Sequence, residues 1–308
     1  MGIRTRLLVS LTLLGLTPLT TLANPPATPL ALPANNQPAY GDDFVIGNVG
    51  FIVLHEFGHA VIREFKVPLL GLEEDSADTI AAITMLQLDK AYPRERTPLV
   101  ELLAMAAVGN ILIWQTSLEK SDADMAVWSR HNLSIRRFAR VSCLIYGSDT
   151  KRFQWFADLT KMAEFRADWC GDEYGVAEQG VAWLTRSYGA ASLTPHGRIS
   201  VKYVEPRTPA QREARDFLQK TGVLEKVAAF VDMRFDFPKA FQVRVDHCST
   251  PNAYWDPDER ELLFCYELVD ALRKASDKPE INRLGQAFDQ RPPEPDNQKS
   301  DLPKRANP

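Results

Sequence analysis

The chain has 308 residues, a net charge of −4 and four cysteines, with 45% hydrophobic and 25% charged residues. That is enough apolar material for a sizeable core. Beyond the amino-terminal arginines and the short tail there is no basic run, which argues against a nucleic-acid partner.

Arg4 and Arg6 precede an apolar run from Leu7 to Leu19, and Thr21-Leu22-Ala23 supplies small residues for cleavage. Residues 1–23 therefore read as a secretory signal peptide, too short for a comfortable membrane span. Asn24 to Tyr40, rich in Pro, Ala and Asn, reads as a disordered leader. Arg291 to Pro308, Pro-rich and charged, reads as a disordered tail. The folded domain is expected over 41–290, exported to a periplasmic or extracellular compartment with no stable span in the mature chain.

Phe44 to Phe65 carries an apolar pattern that ends before Pro68, and His55-Glu56-Phe57-Gly58-His59 lies within it. Residues four apart share a helix face, so His55 and His59 aim both imidazoles at one point. Zinc accepts nitrogen ligands in this way. Glu56 lies about 100° further round the helix, beside that point, where a carboxylate can take a proton from water activated by a metal. Gly58 costs about 1 kcal/mol relative to alanine inside a helix, so a close neighbour is expected against it.

A second helix starts near Glu73. Its first turn, Glu73-Glu74-Asp75, is acidic, as the helix dipole favours. Three consecutive residues point about 100° apart, so only one is expected to face the histidines. Glu74 is the choice, because only it has a carboxylate four residues later: Asp78, placed to orient a ligand histidine. On this reading Glu73→Ala changes little.

H-E-F-G-H and, after fourteen intervening residues, E-D-S-A-D are similar to the thermolysin-like zincins, whose third ligand is a glutamate in an E-x-x-x-D helix. More of the chain resembles a family of secreted bacterial proteins of unknown function, grouped as metallopeptidases on this motif. The matching pieces are H-E-F-G-H-A, P-L-L-G-L-E-E-D-S-A-D, R-R-F…C-L-I-Y-G-S-D, R-A-D-W-C and N-A-Y-W-D-P…C-Y-E. The resemblance implies an α+β, mostly helical zincin-like domain with a small antiparallel sheet. It also implies a bound Zn²⁺ and a peptide or protein substrate.

Leu99 to Trp114 is a buried helix rather than a span, interrupted by Glu101 and Asn110. Asp122 to Tyr146 reads as two helices with His131 between them, Phe153 to Tyr188 continues helical, and Pro209 to Phe230 adds one or two more. Phe241, Val243 and Val245 alternate with polar residues as a half-buried strand. Asp256-Pro257-Asp258 is a turn, and Arg260 to Tyr266 reads as the returning strand of a hairpin. Asn252-Ala253-Tyr254-Trp255 resembles the edge strand on which thermolysin-like enzymes lay substrate, although those enzymes place it before the histidine motif. The four cysteines allow three pairings, and neighbours Cys143–Cys170 and Cys248–Cys265 are expected, each closing a short loop.

The expected function is zinc-dependent peptide hydrolysis: His55, His59 and Glu74 hold the metal, Glu56 is the general base, and Asp78 orients a histidine. Tyr254, His131 and His247 are candidates to stabilise an oxyanion. A zinc amidase acting on cell-wall peptides, and an exported metal-binding domain without turnover, are the alternatives.

Overall fold

The computed structural model describes residues 40–91, 99–118, 134–191 and 194–279, together with Ile281 and Gln286. The expected signal peptide, the leader up to Ala39, His131 and the tail lie outside the described residues.

Helix α1 (Tyr40–Glu64) is the axis of the molecule. It packs against α2 (Glu73–Ala91), α3 (Leu99–Leu118), α8 (Val223–Arg234), α9 (Tyr266–Ser276) and the edge of the sheet. That surround explains why α1 is apolar on nearly every side. It is long and apolar enough to cross a membrane, yet 89% of its most apolar window is buried inside the protein. Gly47 and Gly58 make this packing possible. A Cβ on Gly47 would sit 2.3 Å from the Leu102 carbonyl oxygen of α3, and one on Gly58 would sit 2.9 Å from Ala77 Cα of α2. The close neighbour expected at Gly58 is therefore the second helix of the histidine site.

The remaining described helices are α4 (Ser134–Ser148), α5 (Gln154–Thr160), α6 (Glu164–Tyr188) and α7 (Pro209–Thr221). α4 bridges α2, α3 and α6. The expected Cys143–Cys170 disulfide forms and ties α4 to α6. α7 begins with a capping box in which the Thr208 hydroxyl accepts from the Gln211 N–H, and Pro209 opens the helix.

Four strands, β1 (Ile199–Tyr203), β2 (Phe241–Asp246), β3 (Ala253–Asp256) and β4 (Glu261–Cys265), form one sheet in the order β1-β2-β4-β3. The sheet is mixed rather than antiparallel, which corrects the expected hairpin. β4 runs parallel to β2, with Val243 opposite Leu262, and β2 runs parallel to β1. The turn at Asp256-Pro257-Asp258 instead joins β3 to β4, the antiparallel pair, with Trp255 opposite Leu262. The chain crosses over β4 between β2 and β3, which is why β4 returns in the same sense as β2. Cys248–Cys265 pins the ends of β2 and β4 together.

One continuous apolar core runs from Phe44 on α1 to Ile281. Where α1 meets the sheet, Phe57, Phe237, Phe241 and Trp255 form a chain of rings, with Phe241 T-shaped against Phe237 and against Trp255 at 5.0 Å. Edge-to-face contacts of this kind favour one relative placement of their supports. They hold β3 against the turn of α1 that carries Glu56.

Candidate metal centre

His55 and His59 stand one turn apart on α1, with Nε2 atoms 3.1 Å apart. From α2, Glu74 presents one oxygen 3.3 Å from His55 Nε2 and the other 3.6 Å from His59 Nε2. One ligand atom from each of the three lies within 4.8 Å of the others, a set able to hold a metal ion. The spacing suits zinc: arms of about 2.0–2.1 Å in a tetrahedron give edges of roughly 3.3–3.4 Å. Two imidazole nitrogens and a carboxylate oxygen also match zinc's donor preference, and three protein ligands leave a fourth position open.

The outer nitrogens are both engaged. His55 Nδ1–H donates to Asp78 Oδ1 at 2.7 Å, and His59 Nδ1–H donates to Glu73 Oε1 at 2.9 Å. With the proton at Nδ1, each Nε2 lone pair is directed inward. Each carboxylate is itself clamped by an arginine. Arg137 of α4 donates through Nε to Asp78 Oδ2 at 2.8 Å and through Nη2 to Oδ1 at 2.5 Å. Arg63, four residues beyond His59 on α1, donates through Nε to Glu73 Oε1 at 2.9 Å and pairs with Oε2 through Nη2 at 2.5 Å.

Glu56 is not one of these three donors. It is 7% exposed, and its Oε2 accepts the backbone N–H of Trp255 on β3 at 2.9 Å. Burial pushes its carboxyl pKa up, opposed by the two nearby histidines and by the Trp255 N–H. Burial alone would lower His55, but hydrogen bonds to Asp78 and Glu74 outweigh it and carry the imidazole up to about 9. His59 is raised in the same sense, burial being outweighed by Glu74, Glu56 and Glu73. Burial would raise Asp78, yet Arg137 and His55 hold it below the usual carboxylate range. Without a cation the pocket thus holds onto protons, the electrostatic setting in which a metal ion displaces them.

The sequence-derived candidates are distributed unevenly. His55, His59 and Glu74 come together, and Asp78 meets His55. Glu73 does not stand aside as expected: α2 begins at this residue, and its side chain reaches back over His59 while Glu74 faces inward. Tyr254 is 42% exposed on β3. His247 lies beyond the end of β2, its ring paired with Asp246 at 2.5 Å. Arg63, Arg137 and the Trp255 N–H were missed. Arg63 had a readable signal, its i+4 spacing from His59, whereas Arg137 is 82 positions from His55 and the N–H belongs to no side chain.

Beside the histidine pair and the glutamate able to hold metal lies a separate buried glutamate, Glu56. The family described as "putative metallopeptidase" matches residues 33–185 and 203–289, and the chain belongs to it. No curated protein and no solved structure matches the chain.

Proposed function

We propose that this protein is an exported zinc-dependent peptidase in which His55, His59 and Glu74 bind the metal and Glu56 is the general base. The observation that carries the reading is the position of Glu56 on α1, within electrostatic reach of His55, His59 and Glu74 yet outside the donor set, with one oxygen held by the Trp255 N–H. A centre serving structure alone needs no such carboxylate. When bound, zinc supplies a lowered water pKa and a polarised scissile carbonyl.

Glu56 takes a proton from the attacking water and passes it to the leaving amine. The Trp255 N–H keeps Oε2 fixed, so the proton is handled at Oε1. Asp78 keeps His55 in the tautomer that offers Nε2. β3 is the edge of the sheet, and a peptide running along that edge passes the base, which favours an extended backbone as substrate. The two disulfides suit an oxidising, extracytoplasmic compartment.

The test pairs metal analysis with turnover on the purified exported protein. The wild type carries about one zinc per chain, as one three-ligand site requires, and His55→Ala and His59→Ala lose it. Glu56→Gln keeps the zinc and reduces cleavage of unfolded protein by 10²-fold or more, the scale of a lost general base. Undiminished cleavage by Glu56→Gln would remove Glu56 from the mechanism. Cleavage confined to cell-wall peptides would favour the amidase.

A further inference from the structure

We infer that Glu73, held by Arg63, is the positioning residue for His59, and that this support leaves Glu74 as the glutamate of the pair that binds metal. The inference rests on the reading of His55, His59 and Glu74 as ligands. Glu73 Oε1 accepts from two donors at once, His59 Nδ1–H and Arg63 Nε–H, each at 2.9 Å. Its other oxygen is taken by Arg63 Nη2 at 2.5 Å. Both oxygens are therefore engaged outside the donor cluster.

Two functions follow from that geometry. A free imidazole interconverts between two tautomers and rotates about its Cβ–Cγ bond. An acceptor fixed at Nδ1 selects the tautomer and ring plane that direct Nε2 inward. Glu73 is also the residue immediately before Glu74, and an unrestrained carboxylate there would compete for the same metal. Arg63 removes that competition by holding both Glu73 oxygens away. The spacing builds the device from local structure. Residues 59 and 63 are four apart on α1, so they share a face. Residues 73 and 74 diverge by about 100° at the start of α2, so one meets that face and the other meets the point between the histidines.

This arrangement duplicates on His59, near the surface, what Asp78 and Arg137 make on His55 in the interior. A surface acid–arginine pair by itself does little for fold stability. A large change in metal affinity on losing Glu73, with the fold unaffected, therefore separates positioning from a structural role.

The experiment titrates zinc into metal-stripped full-length mature protein against a competing chelator and records the visible spectrum of the Co²⁺-substituted form. The variants are Glu73→Ala, Glu73→Gln, Arg63→Ala and, as a control on the same helix turn, Asp75→Ala, whose partner is Arg140. Glu73→Ala is expected to weaken zinc binding by about 10–100-fold and to alter the cobalt ligand-field bands. Its metal-free circular dichroism and unfolding midpoint stay near wild type. Glu73→Gln, whose amide oxygen still accepts from Nδ1–H, restores part of the affinity, Arg63→Ala loses less than Glu73→Ala, and Asp75→Ala matches wild type.

Wild-type affinity and an unchanged cobalt spectrum in Glu73→Ala would overturn the positioning role and leave the three-ligand site standing. Loss of all metal from Glu73→Ala with zinc retained in Glu74→Ala would overturn it differently, by making Glu73 the ligand. A wild-type protein that binds no zinc would remove the site itself, and the inference with it.

Discussion

His55 and His59 offer Nε2 to the same point from successive turns of one helix, yet their other nitrogens meet different surroundings. Behind His55, the Asp78 side chain is 1% exposed and Arg137 20% exposed. Behind His59, the Glu73 side chain is 23% exposed and Arg63 49% exposed. The same three groups, imidazole, carboxylate and guanidinium, are thus assembled once in the interior and once at the rim. The difference shows that one hydrogen-bonding device can carry two energetic meanings. In the interior the Asp78 charge depends on its partners, because that carboxylate is closed off from water. At the rim each charge can be resolvated, so the device orients without holding the fold together.

The largest expected effect comes from breaking the interior set. Asp78→Ala leaves Arg137 without its carboxylate, and removing one partner of a buried pair costs about 3–5 kcal/mol. Urea unfolding of the metal-free variant should show a loss of that size, against about 1 kcal/mol or less for Glu73→Ala. Equal losses from the two would mean that burial is not what distinguishes the sets.

Gly58 tests what the two sets share. It lies between the histidines, and α2 approaches so closely that an alanine Cβ would stand 3.1 Å from Ala77 Cβ. Ala77 is flanked by the carboxylates of both sets. Gly58→Ala should therefore shift α2 outward and weaken zinc binding through both at once. Overpacking costs about 1–3 kcal/mol, while the gain in helix propensity returns about 1 kcal/mol. The unfolding midpoint should consequently move less than the zinc affinity does. A variant that binds zinc as wild type does would show that the site tolerates movement of α2.

These contrasts also show what could be read from the chain. The histidine pair, the Glu56 between them and the Glu74–Asp78 step are helical spacings of four residues or fewer, set by local geometry, and so they were visible. The Cys143–Cys170 and Cys248–Cys265 pairs were legible because each joins neighbouring elements. What failed was non-local. β2 and β4 looked like a hairpin because both alternate, but strand direction depends on where the intervening chain travels, and β3 lies within that path. β1 was missed because its register against Phe241 to Val245 is set by partners 42 residues away. α9 follows β4 directly at Tyr266 with no glycine, proline or asparagine to mark the change. Glu73 was expected to stand aside because only one glutamate was sought at the inner nitrogens, whereas it meets the outer nitrogen of His59 instead.

Acidity sharpens the comparison further. His55 is raised from an ordinary 6.5 to about 9 in the metal-free fold. A raised histidine contributes stability that is complete below about pH 6.5 and is lost as pH rises through about 9. Asp78 acts in the opposite sense: it is depressed, so its contribution is present above the ordinary carboxylate range and is lost as pH falls through its lowered value. The metal-free protein should therefore weaken between about pH 6.5 and 9. On the proposed zinc site the metal would take the place of the proton, so the loaded protein should not share that loss. The gap between loaded and metal-free unfolding midpoints is expected to widen with pH over this interval, and a constant gap would show that proton and metal do not compete at Nε2.

The smallest effect is the most discriminating, because it tests solvent exposure directly. Raising ionic strength from about 0.1 M to 1 M shortens the screening length from roughly 10 Å to 3 Å. Arg63, half exposed, pairs with Glu73 in a setting that salt can reach, whereas Arg137 meets an Asp78 carboxylate closed off from solvent. The quantity to measure is the ratio of variant to wild-type zinc affinity at each ionic strength, with an anion that does not bind zinc, so that screening of the metal itself cancels. For Arg63→Ala the ratio should approach one in high salt, since the wild-type pair is already screened there. For Arg137→Ala the deficit should persist, because its interaction lies where few ions enter. If both ratios respond alike, the two arginines share one electrostatic environment and the contrast between rim and interior is lost.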